Sequence, residues 1–206
     1  MKILNISFDE KSNHFRVETE IDTFFVDYED YEEYQLSKDK EINKDLLSKL
    51  HEKEILNKAY LDGMNFLSYR IRTKKEIVKK LNTKYTPSVI DATILRLEKE
   101  GYIDDSYFIK QYTNSKLGNN HWSIKKIEFE LRNLGIESQI LNIFFQENDF
   151  STIEEENIRY FYRKNIKKWQ KKYEDSYKLK NKAIQFLLSK GFNYNSIVRV
   201  VGESFE

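Results

Sequence analysis

Thr73-Lys74-Lys75-Glu76-Ile77-Val78-Lys79-Lys80-Leu81 and Ser123-Ile124-Lys125-Lys126-Ile127-Glu128-Phe129-Glu130-Leu131 superpose at an offset of 50 residues. The alignment lays Thr73 on Ser123, Ile77 on Ile127 and Leu81 on Leu131. Carried further, it lays Ile90 on Ile140 and Ile94 on Phe144. A third copy follows at an offset of 56, with Leu131 on Leu187, Gly135 on Gly191 and Ile136 on Phe192. A repeat of this length is one supersecondary unit, here about three helices. No copy can bury its apolar face alone, so the copies are expected to stack around a continuous, elongated core.

The punctuation around these stretches is helical. Thr73 and Glu76 form a capping box, in which the hydroxyl takes a free N–H and the carboxylate reaches back. Thr86-Pro87 places an N-cap before a proline at the first helical position, where no N–H is needed. Asp104 is the next N-cap, with Ile103 and Phe108 spaced as a hydrophobic staple. Gly101, Gly135 and Gly191 each follow an apolar stripe, where a left-handed residue closes a helix. The stripes themselves recur at helical spacing: Ile90, Ile94, Leu97; Ile124, Ile127, Leu131, Leu134; Leu179, Ala183, Phe186, Leu187.

Upstream the period is different. Leu4, Ile6 and Phe8 alternate with Ile3, Asn5 and Ser7. After a polar turn from Asp9 to His14, the residues Phe15, Val17, Thr19 and Ile21 alternate with Arg16, Glu18 and Glu20. A period of two is that of a half-buried strand, and Thr23-Phe24-Phe25-Val26 adds a third short run. Tyr28 to Leu36 and Asn43 to Glu52 read as short acidic helices. The expected fold is mainly α: three tandem three-helix repeats in an elongated array, preceded by a small α+β segment with a β-meander.

Charge draws the same division. Of 206 residues and a net charge of +1, residues 1–54 carry 8 Lys+Arg against 15 Asp+Glu, a net of −7, and residues 55–206 carry +8. The expected domains are therefore an acidic segment 1–54 and repeats at about 55–105, 106–150 and 151–206. The chain has 1 Pro and 6 Gly, too few for a turn-rich β-sandwich. With 0 Cys it has no disulfide framework, thiolate zinc site or cysteine nucleophile. No apolar run has signal-peptide or membrane-spanning length, so a soluble cytoplasmic protein is expected.

Chemistry is sparse. His14, His51 and His121 have no second His at metal spacing and are expected on the surface or in loops. Asp104-Asp105 is explained by capping and the helix dipole. No phosphate-binding or dinucleotide glycine loop is present, and no nucleophile, base and oxyanion donor fall together. No cofactor, no metal and no enzymatic activity are expected.

The basic blocks are the informative feature. Residues 65–84 carry 7 basic residues and one acid, net +6, and residues 159–182 carry 10 against 2, net +8. Blocks of this size point to an anionic partner. The candidate contacts are Arg70, Arg72, Lys74, Lys75 and Lys79 in the first repeat, and Lys125, Lys126 and Arg132 in the second. In the third they are Lys164, Lys167, Lys168, Lys171 and Lys172, on a helix whose stripe Tyr162, Ile166, Trp169 and Tyr173 faces the core. Trp122 and Trp169 are expected as core or groove anchors.

Four motifs carry a resemblance. They are Tyr69-Arg70-Ile71-Arg72-Thr73-Lys74-Lys75-Glu76 with Leu81; Glu100-Gly101-Tyr102-Ile103-Asp104-Asp105 with Phe108 and Tyr112; Glu130-Leu131-Arg132-Asn133-Leu134-Gly135-Ile136; and Lys190-Gly191-Phe192-Asn193-Tyr194-Asn195-Ser196-Ile197. In order and spacing, over roughly residues 55–201, the chain resembles the RecX family of recombination regulators. Ile71 stands where that family commonly has proline, a change at a helix junction. The resemblance implies three tandem three-helix repeats as a curved array, and a part in DNA repair, recombination and the SOS response. It implies a partner, the RecA recombinase filament on single-stranded DNA, bound in its groove so that growth or activity is limited. Single-stranded DNA phosphates are a further expected contact, a membrane is not, and the protein is expected to be a monomer. Two rival readings are a nucleic-acid-binding helical module independent of a recombinase, and a helical protein-interaction scaffold.

Overall fold

The computed structural model describes residues 1–10 and 13–203; the tip of the polar turn after Asp9 lies outside them, as does the end of the third repeat. The described residues form three strands and ten helices: β1 (Ile3–Asp9), β2 (His14–Thr19), β3 (Thr23–Val26), α1 (Tyr28–Glu33), α2 (Lys44–Ser68), α3 (Lys74–Leu81), α4 (Pro87–Lys99), α5 (Asp105–Asn120), α6 (Ile124–Asn133), α7 (Ser138–Glu147), α8 (Ser151–Gln170), α9 (Ser176–Ser189) and α10 (Tyr194–Gly202). Two compact units result, Met1–Ile71 with Ile77–Tyr102, and Arg72–Glu76 with Ile103–Glu206.

In the first unit the strands form an antiparallel meander in the order β1-β2-β3. Val17 and Phe24 are buried, and with Ile3, Val26, Leu36, Ile42 and Leu50 they form its apolar core. The alternation in β1 is interrupted. A register shift between Ile3 and Asn5 inserts Leu4 as an extra residue, so Ile3 turns inward and Leu4 outward. Ile21, read as the last residue of β2, lies beyond its end at Thr19 and is exposed in the turn.

The helix expected over Asn43 to Glu52 does not stop there. Asn43 caps it, accepting from the Leu46 amide at 2.8 Å, and α2 then runs 25 residues to Ser68. Nothing between Glu52 and Ile55 breaks a helix, and a change of charge is not a stop signal. The division of charge after residue 54 thus falls in mid-helix. Near its other end, Gly63 lets α2 approach α4 closely, since a Cβ there would meet Leu97 Cδ1 at 3.1 Å.

The caps stand where their residue types put them. Thr73 N–H donates to Glu76 Oε2 at 3.1 Å while Glu76 N–H donates to Thr73 Oγ1 at 3.3 Å, a closed capping box. Asp104 accepts from the Tyr107 amide at 2.9 Å, and Ile103 and Phe108 are both buried. Thr86 has cap backbone geometry but makes no cap hydrogen bond through its side chain. Gly101, Gly135 and Gly191 have φ of 78°, 92° and 87°. Ile77, Ile127, Leu131 and Leu187 are fully buried.

In the second unit the cap hydroxyls do more than cap. Thr73 Oγ1 donates to the Leu134 carbonyl at 2.9 Å, and Ser123 Oγ donates to the Lys190 carbonyl at 2.9 Å. In both cases the acceptor is the residue just before a left-handed glycine, at the C-terminus of a repeat's second helix. Each hydroxyl therefore donates one bond and accepts one at once, while buried.

Candidate nucleic-acid interface

The expected contact residues fall into three sets. Of the first, Arg70 and Lys79 belong to the first unit and Arg72, Lys74 and Lys75 to the second. Arg70 is exposed and donates to the Ile71 carbonyl at 3.1 Å; Lys74 and Lys79 are exposed on α3. Arg72 is half-buried, its Nη1 lying 3.5 Å from Glu76 Oε1. Lys75 arches over Gly135 and donates to the Asn133 carbonyl at 3.0 Å, so its ammonium closes a helix end.

On α6, Lys125 and Arg132 are exposed, and Arg132 pairs with Glu128 Oε1 at 2.5 Å. Lys126 lies 3.9 Å above the half-buried Trp122 ring, and Lys116 Nζ lies 4.9 Å from it. Phe129, 61% exposed, sits one helical turn from Lys125 and from Arg132.

On α8 the stripe behaves as its spacing implies: Tyr162 and Trp169 are buried and Ile166 and Tyr173 pack partly against the third repeat's core. Lys164, Lys167 and Lys168 are exposed. The helix ends at Gln170, however, so Lys171 is its C-cap and Lys172 and Tyr173 lie in the following turn. Lys171 and Lys172 are exposed, with Lys172 Nζ 5.9 Å from the Tyr173 ring.

Several residues of the same surface carry no sequence motif. Arg159 pairs with Glu203 at 2.7 Å and Glu155 at 3.7 Å, and Glu203 raises its already high pKa. Arg163 is exposed beside Lys164. His121 and Tyr160 stack with ring centroids 3.8 Å apart. His121 is a left-handed C-cap in the loop between α5 and α6, as expected, whereas His51 is half-buried on α2, 3.2 Å from Asp22, and is neither a surface nor a loop residue. Among the described residues no group of three His, Cys, Asp or Glu is placed to hold a metal ion, and no helix is long and apolar enough to cross a membrane.

The acidic segment presents the opposite chemistry. Asp30 is buried at the start of α1 and pairs with Lys53; burial pushes its carboxyl above the usual range despite that lysine. Asp27 caps α1 and accepts from Asn57 at 3.4 Å. Tyr60 donates to Glu100 at 2.5 Å, which holds the phenol at about 12, and Arg96 covers the Tyr60 ring at 3.8 Å. These polar groups already satisfy one another.

Fold and surface together define a helical-repeat protein with basic outer faces. Two domain profiles of one family match the chain, the RecX first three-helix domain over residues 59–97 and the RecX third three-helix domain over residues 153–201. Regulatory protein RecX of Finegoldia magna is 31% identical over 204 residues, covering 98% of this chain and 99% of the relative. A crystal structure of regulatory protein RecX superposes with a TM-score of 0.82 over 98% of each chain at 20% identity, a likeness of fold. That of RecX from Lactobacillus salivarius gives 0.67 at 26% identity over 73% of this chain and 97% of the other. The chain belongs to the RecX family.

Proposed function

We propose that this chain is a non-enzymatic regulator of homologous recombination and DNA repair that acts on the RecA recombinase filament on single-stranded DNA. It lodges in the filament groove and limits growth or activity. The observation that carries this reading is the end-to-end likeness to a regulatory protein RecX, over 98% of the chain. In this reading the protein works in the cytoplasm as a monomer. Its three repeats, about residues 55–105, 106–150 and 151–206, make the contacts, and the acidic segment 1–54 does not.

The contact residues are the basic sets described above, from Arg70 to Lys172. They meet DNA phosphates or acidic recombinase surface. Opposite charges speed encounter, and such contacts weaken with salt because exposed charges are screened over about 8–10 Å.

The test is ATP hydrolysis by RecA on single-stranded DNA, with this protein added below stoichiometry. Progressive loss of hydrolysis is expected; an unchanged rate overturns the reading. Replacing Lys164, Lys167, Lys168, Lys171 and Lys172 by Gln should change stability by less than about 0.5 kcal/mol, as exposed positions do. Binding to the DNA-loaded filament should weaken, and losing three phosphate contacts should lower its log–log salt slope by about 2. An unchanged slope removes this face from the contact.

A further inference from the structure

We propose that Tyr160, backed by His121 and flanked by Arg163 and Lys164, is a nucleotide subsite: a base of single-stranded nucleic acid stacks on Tyr160 and the adjoining phosphates meet Arg163 and Lys164. The inference deepens the reading above and rests on it for the presence of single-stranded DNA.

The site is built from inside outward. Asn157 is 3% exposed. Its amide nitrogen donates to the Leu117 carbonyl at 3.0 Å and to the Trp122 carbonyl at 3.4 Å, which leaves Oδ1 to accept. His121 Nδ1, 2.8 Å from that oxygen, therefore carries a hydrogen. The histidine backbone is left-handed, with φ 54° and ψ 35°, a conformation few side chains take without support. A buried amide thus fixes the plane of the imidazole, and the imidazole fixes Tyr160 against it, at an interplanar angle of 25°.

Tyr160 keeps 39% of its surface exposed. Lys164 Nζ donates to its hydroxyl at 3.3 Å. The shallow groove beside it is lined by Glu156, Arg159, Arg163 and Lys164. Arg159 is engaged by Glu155 and Glu203, and Glu156 is the one acid there, so Arg163 and Lys164 are the cations left for phosphate. The ring is held before any ligand arrives, which lowers the ordering cost of binding. Two further rings of the second and third repeats have cations beside them, Lys126 over Trp122 and Lys190 5.3 Å from Phe186. A flat ring with cations beside it matches an unpaired base with phosphates beside it.

The test uses the full chain and thymidine oligomers carrying one 2-aminopurine, whose fluorescence falls on stacking, with uridine oligomers and the matching duplex as arms. The chain should quench the single strand; preference between thymidine and uridine tells which nucleic acid the subsite takes. Tyr160→Leu should weaken binding about tenfold or more and abolish quenching while leaving the salt slope unchanged. Tyr160→Phe should retain both. Arg163→Gln with Lys164→Gln should lower the slope by about 1.4 and keep the quenching of what remains bound. The subsite is overturned if the wild-type chain does not bind the oligomer, if the duplex binds as well, or if Tyr160→Leu binds and quenches normally. Should Tyr160→Leu fail to fold, normal slope and quenching in the Arg163/Lys164 variant overturn it equally. Inhibition of RecA by the same variants separates the two readings: if it survives while oligomer binding is normal in Tyr160→Leu, only the subsite falls.

Discussion

The two cap joints of the second unit, Thr73 with Leu134 and Ser123 with Lys190, make the same bond by different means. In each, a buried hydroxyl accepts from the N3 amide at 3.3 Å and donates to the carbonyl before a left-handed glycine at 2.9 Å. At the first, the third helical residue is Glu76, and its carboxylate returns to the Thr73 amide. At the second that position is Lys126, which turns away to cover Trp122. A carboxylate comes instead from Glu154 on α8, and it accepts from the next amide along, that of Ile124, at 3.0 Å. A local carboxylate on the N-cap amide has given way to a tertiary carboxylate on the first helical amide. What must be kept is satisfaction of the orphan amides at the helix start; which residue does it is free to change.

The comparison is broken most severely through the core. Leu131 and Leu187 occupy equivalent positions, one helical turn before the two glycines, and are both fully buried. Leu→Ala at either should cost about 2–5 kcal/mol in denaturant unfolding. Equal costs would show that the second and third repeats are held equally; a cost below about 1 kcal/mol at one would show that its surroundings collapse to fill the space.

Next come the glycines. A left-handed conformation costs a residue with a Cβ about 1–2 kcal/mol at either site. The neighbours then differ. A Cβ on Gly191 would lie 2.7 Å from Ser123 Oγ, which is committed to two hydrogen bonds. A Cβ on Gly135 would lie 2.5 Å from Lys75 Cδ and 2.7 Å from Lys75 Cβ, and the latter moves only with the backbone that carries it. Gly135→Ala and Gly191→Ala should therefore both cost more than the left-handed conformation alone, above about 2 kcal/mol in denaturant unfolding. A cost within about 1–2 kcal/mol at Gly135 would show that the backbone at Lys75 shifts to make room.

These joints also mark where the sequence is legible. The caps at Thr73, Ser123 and Asp104 and the left-handed glycines are local chemistry, readable from a few adjacent residues. The repeat offset is readable because the caps and the buried positions Ile77, Ile127 and Leu131 recur together. The bonds from Thr73 to Leu134 and from Ser123 to Lys190 span 61 and 67 residues and have no pattern in the chain. The same holds for Asn157, which directs His121 from 36 residues away. The stripe from Tyr162 to Tyr173 keeps helical spacing past Gln170, where the helix ends, because no glycine or proline marks the stop. In the first repeat, the bond from the Lys75 ammonium to the Asn133 carbonyl spans 58 residues and likewise has no pattern in the chain. Charge counting identifies basic residues, but not those already engaged.

The smallest effect separates the two carboxylates by sign. Burial holds the Glu154 carboxyl above its ordinary range, with the Ile124 amide only partly opposing it. A carboxyl whose folded pKa is raised adds stability that is complete below its unfolded pKa and lost as pH rises through the folded one. At neutral pH Glu154 is therefore a charge kept at some cost. Glu154→Gln retains an oxygen for the Ile124 amide and discards that cost, so it should be neutral or stabilising at pH 7.5, by less than about 1 kcal/mol. The advantage should shrink as pH falls toward 5, because the wild-type carboxyl takes up its proton; the raised carboxyl of Asp30 is present in both proteins and cancels. Glu76→Gln keeps the oxygen of its box but loses the ion pair with Arg72, so at pH 7.5 it should be destabilising, by less than about 1 kcal/mol. Denaturant midpoints of the two variants at the two pH values decide the matter. A Glu154→Gln difference that stays constant between pH 7.5 and 5 would mean that burial does not perturb this carboxyl. The tertiary cap would then be electrostatically no different from the local one.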